Sequence, residues 1–209
     1  MLDTKDMRLS NKLTMMRVCF APVFFLIYNL PIWTGSELLQ RISAFAMIPL
    51  LAVFELTDFF DGYYARKHGD VSDFGKLFDP FADVMLNLTV FICAMSSVNR
   101  IFGGYMPTVI FVLILYRELS MNFLRMIASK QGVAIAARKG GKCKTVFYIF
   151  SGFFALLIES AVRLGYGLGG YLPELHVVTV VLFSICLALS YISFVDYLRN
   201  FASILKKDM

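Results

Sequence analysis

Four aspartates in the first half of the chain have the spacing of a metal site. Asp58 and Asp61 are three residues apart, and Asp79 and Asp83 are four apart. Residues three or four apart share one face of a helix, so each pair would present two carboxylates together. Carboxylate oxygens are ligands that Mg²⁺ and Mn²⁺ prefer, so two such pairs on neighbouring helices predict a divalent-cation site. The alternative is that these acids are solvated at helix ends or paired with nearby basic residues, namely Arg66, Lys67 and Lys76.

Small and basic residues stand beside these acids. Gly62 and Ala65 leave room for a ligand or for a closely packed helix. Arg66 follows one turn after Gly62 and can offer two parallel hydrogen bonds to a phosphate. Gly75 opens the next segment on the same side. The carboxylates are therefore predicted to have space and a phosphate-binding group next to them.

A second group of charges, in the other half of the chain, is basic. Lys142 and Lys144 stand at the start of the fifth apolar segment, Arg125 lies toward the end of the fourth, and Arg117 is roughly two turns deeper. Together they predict a cationic pocket for a phosphate on a second substrate. The alternative is that the lysines contact lipid head groups and that Arg117 pairs with an acid in the bundle. Glu118 is not the obvious partner for Arg117, because adjacent helical residues point to different faces.

The composition indicates a membrane protein. Hydrophobic residues make up 58% of the 209 residues and charged residues 17%, against roughly 45–50% and about 25% in soluble domains. A soluble core of this size could not bury so much apolar surface. The four cysteines are isolated in or beside apolar segments, so neither a zinc site nor a disulfide framework is predicted. The net charge of +5 fits either nucleic acid or anionic lipid as a partner, and the apolar composition favours lipid.

Six apolar segments are long enough to span a bilayer. They predict an all-α, polytopic membrane protein with six transmembrane helices, at about residues 14–31, 42–60, 75–98, 107–129, 145–164 and 175–197. The second helix is expected to continue to about residue 66. Residues 1–13 are predicted to be an amphipathic lead-in, and residues 1–209 a single integral-membrane domain. Glycine pairs and prolines mark the connections, among them Gly140-Gly141 and the stretch up to Pro173.

The distribution of basic residues predicts the orientation. Fifteen of the twenty Lys and Arg residues fall on the side of the two termini, and three fall on the opposite side. Because cytoplasmic loops are enriched in basic residues, both termini and the aspartate site are predicted to be cytoplasmic. The predicted location is the cell inner (plasma) membrane.

The motif Asp58-x2-Asp61-Gly62-x2-Ala65-Arg66-x8-Gly75-x3-Asp79-x3-Asp83 resembles the signature of the CDP-alcohol phosphotransferase family. Eight positions at fixed gaps make this similarity specific. Further segments resemble the bacterial phosphatidylglycerophosphate synthases within that family: Asn11-x2-Thr14-x2-Arg17, Tyr116-Arg117-Glu118, Leu124-Arg125-Met126 and Gly141-Lys142-Cys143-Lys144-Thr145. The similarity covers most of the chain. One departure is Val84, where those synthases usually have Lys.

The resemblance implies the CDP-alcohol phosphotransferase fold and specific roles for these residues. The four aspartates would bind Mg²⁺ or Mn²⁺, with two ions expected, and Asp83 would also act as general base on the acceptor hydroxyl. A pocket for CDP-diacylglycerol is implied at Asn11, Thr14, Arg17, Asp61, Gly62, Ala65, Arg66 and Gly75. A homodimer is implied as the assembly.

The implied reaction moves the phosphatidyl group of CDP-diacylglycerol to an alcohol and releases CMP. The basic group of Arg117, Arg125, Lys142 and Lys144 favours glycerol 3-phosphate as the acceptor, because a phosphate requires such a pocket and free serine does not. Inositol phosphate and serine remain alternatives. From other classes, a divalent-cation transporter and a non-catalytic lipid-binding scaffold are the rival interpretations.

Overall fold

The computed structural model describes residues 9–68, 73–99, 101, 103–132, 139–166, 168 and 170–205, and side chains within 12–57, 77–99, 101, 103–132, 140–166, 168 and 170–200. Six α-helices contain most of these residues, and no strand occurs among them. The helices are α1 (Leu9–Thr34), α2 (Glu37–His68), α3 (Asp73–Ala94), α4 (Thr108–Lys130), α5 (Lys139–Arg163) and α6 (Leu172–Leu205). The prediction of an all-α protein is confirmed.

Five of these helices are long and apolar enough to cross a membrane: the relevant stretches are Lys12–Thr34, Glu37–Thr57, Leu77–Ala94, Gly140–Arg163 and Leu172–Asn200. Helix α4 is not among them, although a span was predicted there. Its 23 residues carry Arg117, Glu118 and Arg125, and charges at mid-membrane are costly unless they are paired. The structure thus supports five predicted spans by length and composition, while α4 is a helix with charges in its middle.

Two of the differences between the predicted and the observed helix boundaries have a clear physical reason. Gly140 and Gly141 were predicted to be a connection, but they lie in the first turn of α5. A Cβ on Gly141 would stand 3.8 Å from the hydroxyl oxygen of Ser193 in α6, so packing between helices outweighs the low helix propensity of glycine. Pro173 was predicted to lie before the last helix, but it is in the first turn of α6. Proline is tolerated there because that N–H has no helical partner.

The chain divides into two compact units, Met1–Cys93 and Ala94–Met209. In the first unit, α1 packs against α2. The aromatic rings of Phe20 and Phe54 stack there with centroids 3.6 Å apart. Phe24 and Tyr28 in α1 and Met47 in α2 are fully buried. This apolar packing holds the face of α1 that carries Thr14 and Arg17, both of which are buried.

In the second unit, α6 packs against both α4 and α5. Two buried acids stand in this unit, Glu118 on α4 and Glu159 on α5. Glu159 accepts hydrogen bonds from the Ser97 hydroxyl at 2.6 Å, the Tyr105 hydroxyl at 2.9 Å and Nε of Arg163 at 2.7 Å. Burial and the Glu159 carboxylate raise the pKa of Tyr105 above its usual range, so the phenol stays protonated and remains a donor. This cluster anchors the connection between α3 and α4 to the end of α5.

Candidate functional site

Two of the four predicted metal ligands lie on one face of α3 against α1. The Thr14 hydroxyl donates a hydrogen bond to Oδ1 of Asp79 at 2.6 Å. The Arg17 guanidinium forms an ion pair with Oδ1 of Asp83 through Nη1. Its Nη2 lies 3.4 Å from the Thr14 hydroxyl oxygen. One network therefore joins both acids, and it brings together four residues that the sequence assigned to the site.

The two members of the Arg17–Asp83 pair differ sharply in exposure. The Arg17 side chain is 2% exposed and the Asp83 side chain 40%. The buried guanidinium holds a carboxylate that a ligand can still reach. A positioned, accessible carboxylate is what a general base needs, since proton transfer requires hydrogen-bond distance to the acceptor hydroxyl.

The other motif residues are placed only at the level of the backbone. Asp58, Asp61, Gly62, Ala65 and Arg66 lie in the last third of α2, and Gly75 lies in the first turn of α3. Asn11 lies in the first turn of α1. The side chains of all these residues are outside the described part of the chain. Among the side chains that are described, no three His, Cys, Asp or Glu residues converge, and this set lacks two of the four predicted ligands.

The second unit contains a buried cluster of charges around Glu118, which is 2% exposed. Its Oε1 accepts a hydrogen bond from Nζ of Lys144 at 2.7 Å and another from the Tyr148 hydroxyl at 3.0 Å. Nη1 of Arg117 lies 2.9 Å from each carboxylate oxygen. We call these four residues, Arg117, Glu118, Lys144 and Tyr148, the Glu118 cluster.

The expectation that Glu118 is not the obvious partner for Arg117 is wrong. Adjacent helical residues leave the backbone about 100° apart, but the arginine side chain is long enough to reach back to its neighbour. Its Nε donates to the Ser190 carbonyl of α6 at 3.0 Å, which turns the guanidinium toward the interior. The alternative interpretation, in which Arg117 pairs with an acid in the bundle, thus describes its contacts.

The remaining two predicted phosphate ligands are more accessible than Arg117. Lys142 is exposed and Arg125 is partly buried. The buried Nε of Arg125 has no hydrogen-bond partner among the described residues. Lys142 precedes Lys144 by two residues on α5, which places it about 200° around the helix from Lys144.

Sequence reasoning did not assign a role to Glu118 or Tyr148. The signal for Glu118 was its charge within an apolar segment, because an acid there requires buried partners. Tyr148 stands four residues after Lys144 and therefore on the same face of α5. That spacing was visible in the sequence, but nothing in it indicated which acid the pair would meet.

Comparisons with known proteins relate most of the chain to one family. Residues 7–194 match the family model described as CDP-alcohol phosphatidyltransferase. A Treponema pallidum protein named CDP-diacylglycerol–glycerol-3-phosphate 3-phosphatidyltransferase is 36% identical over 205 residues, or 96% of this chain and 92% of that protein. A Mycobacterium tuberculosis protein named probable phosphatidylglycerophosphate synthase is 34% identical over 92% of this chain and 80% of its own length. A Bacillus subtilis protein with the same name as the Treponema protein is 32% identical over 66% of this chain and 70% of its own length.

Proposed function

The chain belongs to the CDP-alcohol phosphatidyltransferase family, and from this premise we propose that it transfers the phosphatidyl group of CDP-diacylglycerol to glycerol 3-phosphate. The products are phosphatidylglycerophosphate and CMP, and the role is in phospholipid biosynthesis. The similar Treponema pallidum and Bacillus subtilis proteins carry the name of this activity. The observation that carries the proposal is the network of Thr14, Arg17, Asp79 and Asp83, which assembles motif residues of that family on neighbouring helices.

Asp83 is the proposed general base. The oxygen of the acceptor hydroxyl forms a bond to the phosphorus of the phosphatidyl group, and the bond from that phosphorus to the CMP oxygen breaks. The hydroxyl proton passes to the Asp83 carboxylate, which Arg17 holds in place. General-base transfer of this kind contributes about 10²- to 10⁴-fold to the rate.

The four aspartates are the proposed metal ligands. The donor set fits Mg²⁺ or Mn²⁺, since all four side chains offer hard oxygen ligands and Asp79 and Asp83 are close to one another on α3. Two ions bound by Asp58, Asp61, Asp79 and Asp83 would supply positive charge to offset the charge on the diphosphate and the leaving CMP. This chain's own contribution is to hold the carboxylates, which Thr14 and Arg17 do for the α3 pair.

The nucleotide end of CDP-diacylglycerol is proposed to lie along α1, α2 and the start of α3. Thr14 and Arg17 contact the α3 carboxylates directly, so they are placed to meet a ligand bound there. The other proposed contacts are Asn11, Asp61, Gly62, Ala65, Arg66 and Gly75. The lipid tails would stay in the bilayer, which accounts for a membrane location of the enzyme.

The phosphate of the acceptor is proposed to bind the basic residues of the second unit. Arg117 and Lys144 face a single carboxylate in the Glu118 cluster, so the cluster carries excess positive charge before Arg125 is counted. Buried excess charge is unfavourable unless an anion compensates it, and Nε of Arg125 has no hydrogen-bond partner among the described residues. Lys142 is exposed and Arg125 partly buried, whereas Lys144 and Arg117 are buried, so the phosphate is proposed to meet Lys142 and Arg125 first and the other two more deeply.

The placement in the cell follows from the spans and the basic residues. Five helices can cross a membrane, and we propose that α4, whose Arg117 and Glu118 charges are paired in the Glu118 cluster, crosses as a sixth. An even number of crossings places both termini on one side, and we propose that this side, together with the active site, is the cytoplasmic face of the plasma membrane. Lys142 and Lys144 then lie at the cytoplasmic start of α5. A homodimer is the proposed assembly.

The acceptor is tested by CMP release from CDP-diacylglycerol in detergent with Mg²⁺, using glycerol 3-phosphate, inositol phosphate or serine in parallel. We expect turnover with glycerol 3-phosphate and none above background with serine, because serine brings no phosphate to the cationic pocket. Turnover with inositol phosphate or serine instead would retain the transfer chemistry and overturn the acceptor assignment. The exposed Glu174 on α6 provides a control variant, Glu174→Gln, which should match the wild-type protein.

A further inference from the structure

Glu118 is the acid on which Arg117 and Lys144 converge, and the function proposed above assigns it no task. We propose that Glu118 is a positioning residue that holds the Lys144 ammonium in the place where it binds the phosphate of the acceptor. This inference rests on the proposed function and deepens it, because it names the residue that organises the acceptor pocket.

The position of Lys144 is fixed from two directions. Its Nζ is 2.7 Å from Oε1 of Glu118 and 4.6 Å from the centre of the Tyr148 ring. The Tyr148 hydroxyl donates to the same Oε1, so carboxylate, ring and ammonium form one closed arrangement. A lysine side chain has a flexible four-carbon stem, and without these contacts its charge would be spread over several conformations. An ammonium carries three N–H donors, which is enough for Glu118 and a phosphate together.

The Glu118 carboxylate is itself held in place by Arg117. Nη1 of Arg117 contacts both carboxylate oxygens at 2.9 Å, and Nε of the same guanidinium donates to the Ser190 carbonyl. Arg117 is 4% exposed, and its contacts link α4 to α6. The arrangement therefore runs from α6 through Arg117 and Glu118 to Lys144 on α5, and it connects all three helices of the unit.

Charge alone makes the opposite prediction, and that difference allows a decisive test. Glu118 is negative, so removing its charge leaves Arg117, Lys144 and Arg125 with one more unit of net positive charge. If Glu118 acted only through its charge, its removal would tighten the binding of a phosphate. If Glu118 positions Lys144, its removal would weaken that binding, because the ammonium loses its fixed place.

The experiment measures kcat and the KM values for glycerol 3-phosphate and CDP-diacylglycerol with wild-type protein and Glu118→Gln. The amide keeps the size of the side chain but loses the charge-assisted hydrogen bonds, which are roughly twice as strong as neutral ones. We expect the KM for glycerol 3-phosphate to rise about tenfold or more, because the loss of one charged hydrogen bond weakens binding by about that factor. The KM for CDP-diacylglycerol is expected to stay within about twofold of wild type, a change smaller than the loss of one charged hydrogen bond would cause, because the residues proposed to bind that substrate belong to the first unit.

Two further variants keep the inference testable if Glu118→Gln does not fold. Tyr148→Phe retains the ring and removes only the hydroxyl that contacts Glu118, and we expect a smaller rise in the same KM. Lys144→Met is expected to raise the KM strongly, and the addition of Glu118→Gln to it should add little, since both changes act through one ammonium. Glu174→Gln serves as the matched control with unchanged kinetics.

Each outcome separates this inference from the proposed function. If wild-type protein releases no CMP with glycerol 3-phosphate, the proposed function fails and the inference fails with it. If wild type turns over but Glu118→Gln has an unchanged or lower KM for glycerol 3-phosphate, only the positioning role is overturned. A fall in kcat with both KM values unchanged would indicate a merely structural role and would likewise overturn it.

Discussion

Asp83→Asn is expected to lower CMP release by about 10²- to 10⁴-fold, the range associated with loss of a general base. Asparagine has nearly the same shape as aspartate, and its amide oxygen can still accept a hydrogen bond from Arg17. It cannot take the proton of the acceptor hydroxyl, and it brings no negative charge to a metal ion. Because 40% of the Asp83 side chain is exposed, the fold should be retained, but at a lower unfolding temperature, since the buried Arg17 loses its compensating charge.

We would measure the initial rate of CMP release and, in the same detergent, the thermal unfolding of each protein. Glu37→Gln is the matched control, because Glu37 is an exposed acid in the same unit at the first turn of α2. The control should retain wild-type activity. Activity of Asp83→Asn within about threefold of wild type, well short of the loss expected for a general base, would contradict the role given to Asp83.

Removal of divalent cations with EDTA is expected to abolish turnover, and addition of Mg²⁺ or Mn²⁺ in excess should restore it. The diphosphate and the leaving CMP carry negative charge that metal ions would offset. Among the described side chains, the cation in contact with Asp83 is Arg17, and one guanidinium does not balance that charge. Metal binding to the folded protein should also raise its thermal stability, since a ligand that binds only the native state stabilises it.

The stability measurement gives a readout that is independent of turnover. We expect Mn²⁺ to raise the unfolding temperature of wild type and of Glu37→Gln, and to raise that of Asp79→Asn much less. Asp79 loses a ligand charge in that variant, while the Thr14 hydroxyl can still donate to the amide oxygen. Full activity in EDTA, or an equal metal-induced shift in all three proteins, would contradict the metal site.

The helices and the α3 part of the site were predictable from sequence for a simple reason. Apolar segments of about 20 residues leave few alternatives to membrane helices, and spacings of three and four residues place side chains on one face regardless of the rest of the fold. Asp79 and Asp83 therefore share a face of α3 as predicted. The family resemblance assigned Thr14 and Arg17 to the nucleotide pocket, but their contacts with Asp79 and Asp83 were not predicted, because no local pattern indicates which helix packs against which.

The contacts within the Glu118 cluster could not be predicted from local sequence spacing. Backbone geometry alone separates Arg117 from Glu118, and the prediction neglected the length of the arginine side chain and the Ser190 carbonyl that orients it. The start of α5 was misplaced for a related reason, since Gly140 and Gly141 are helical where they pack against α6. In both cases the deciding contact comes from a residue about 50 or more positions away in the sequence, which no local spacing rule includes.

This chain is expected to couple CMP release to the formation of phosphatidylglycerophosphate. The most direct test quantifies both products in one sample of purified protein with CDP-diacylglycerol, glycerol 3-phosphate and Mg²⁺. We expect equal amounts of CMP and phosphatidylglycerophosphate, and neither product when glycerol 3-phosphate is omitted or EDTA is added. Release of CMP without the lipid product, or no CMP from folded protein supplied with metal, would contradict it.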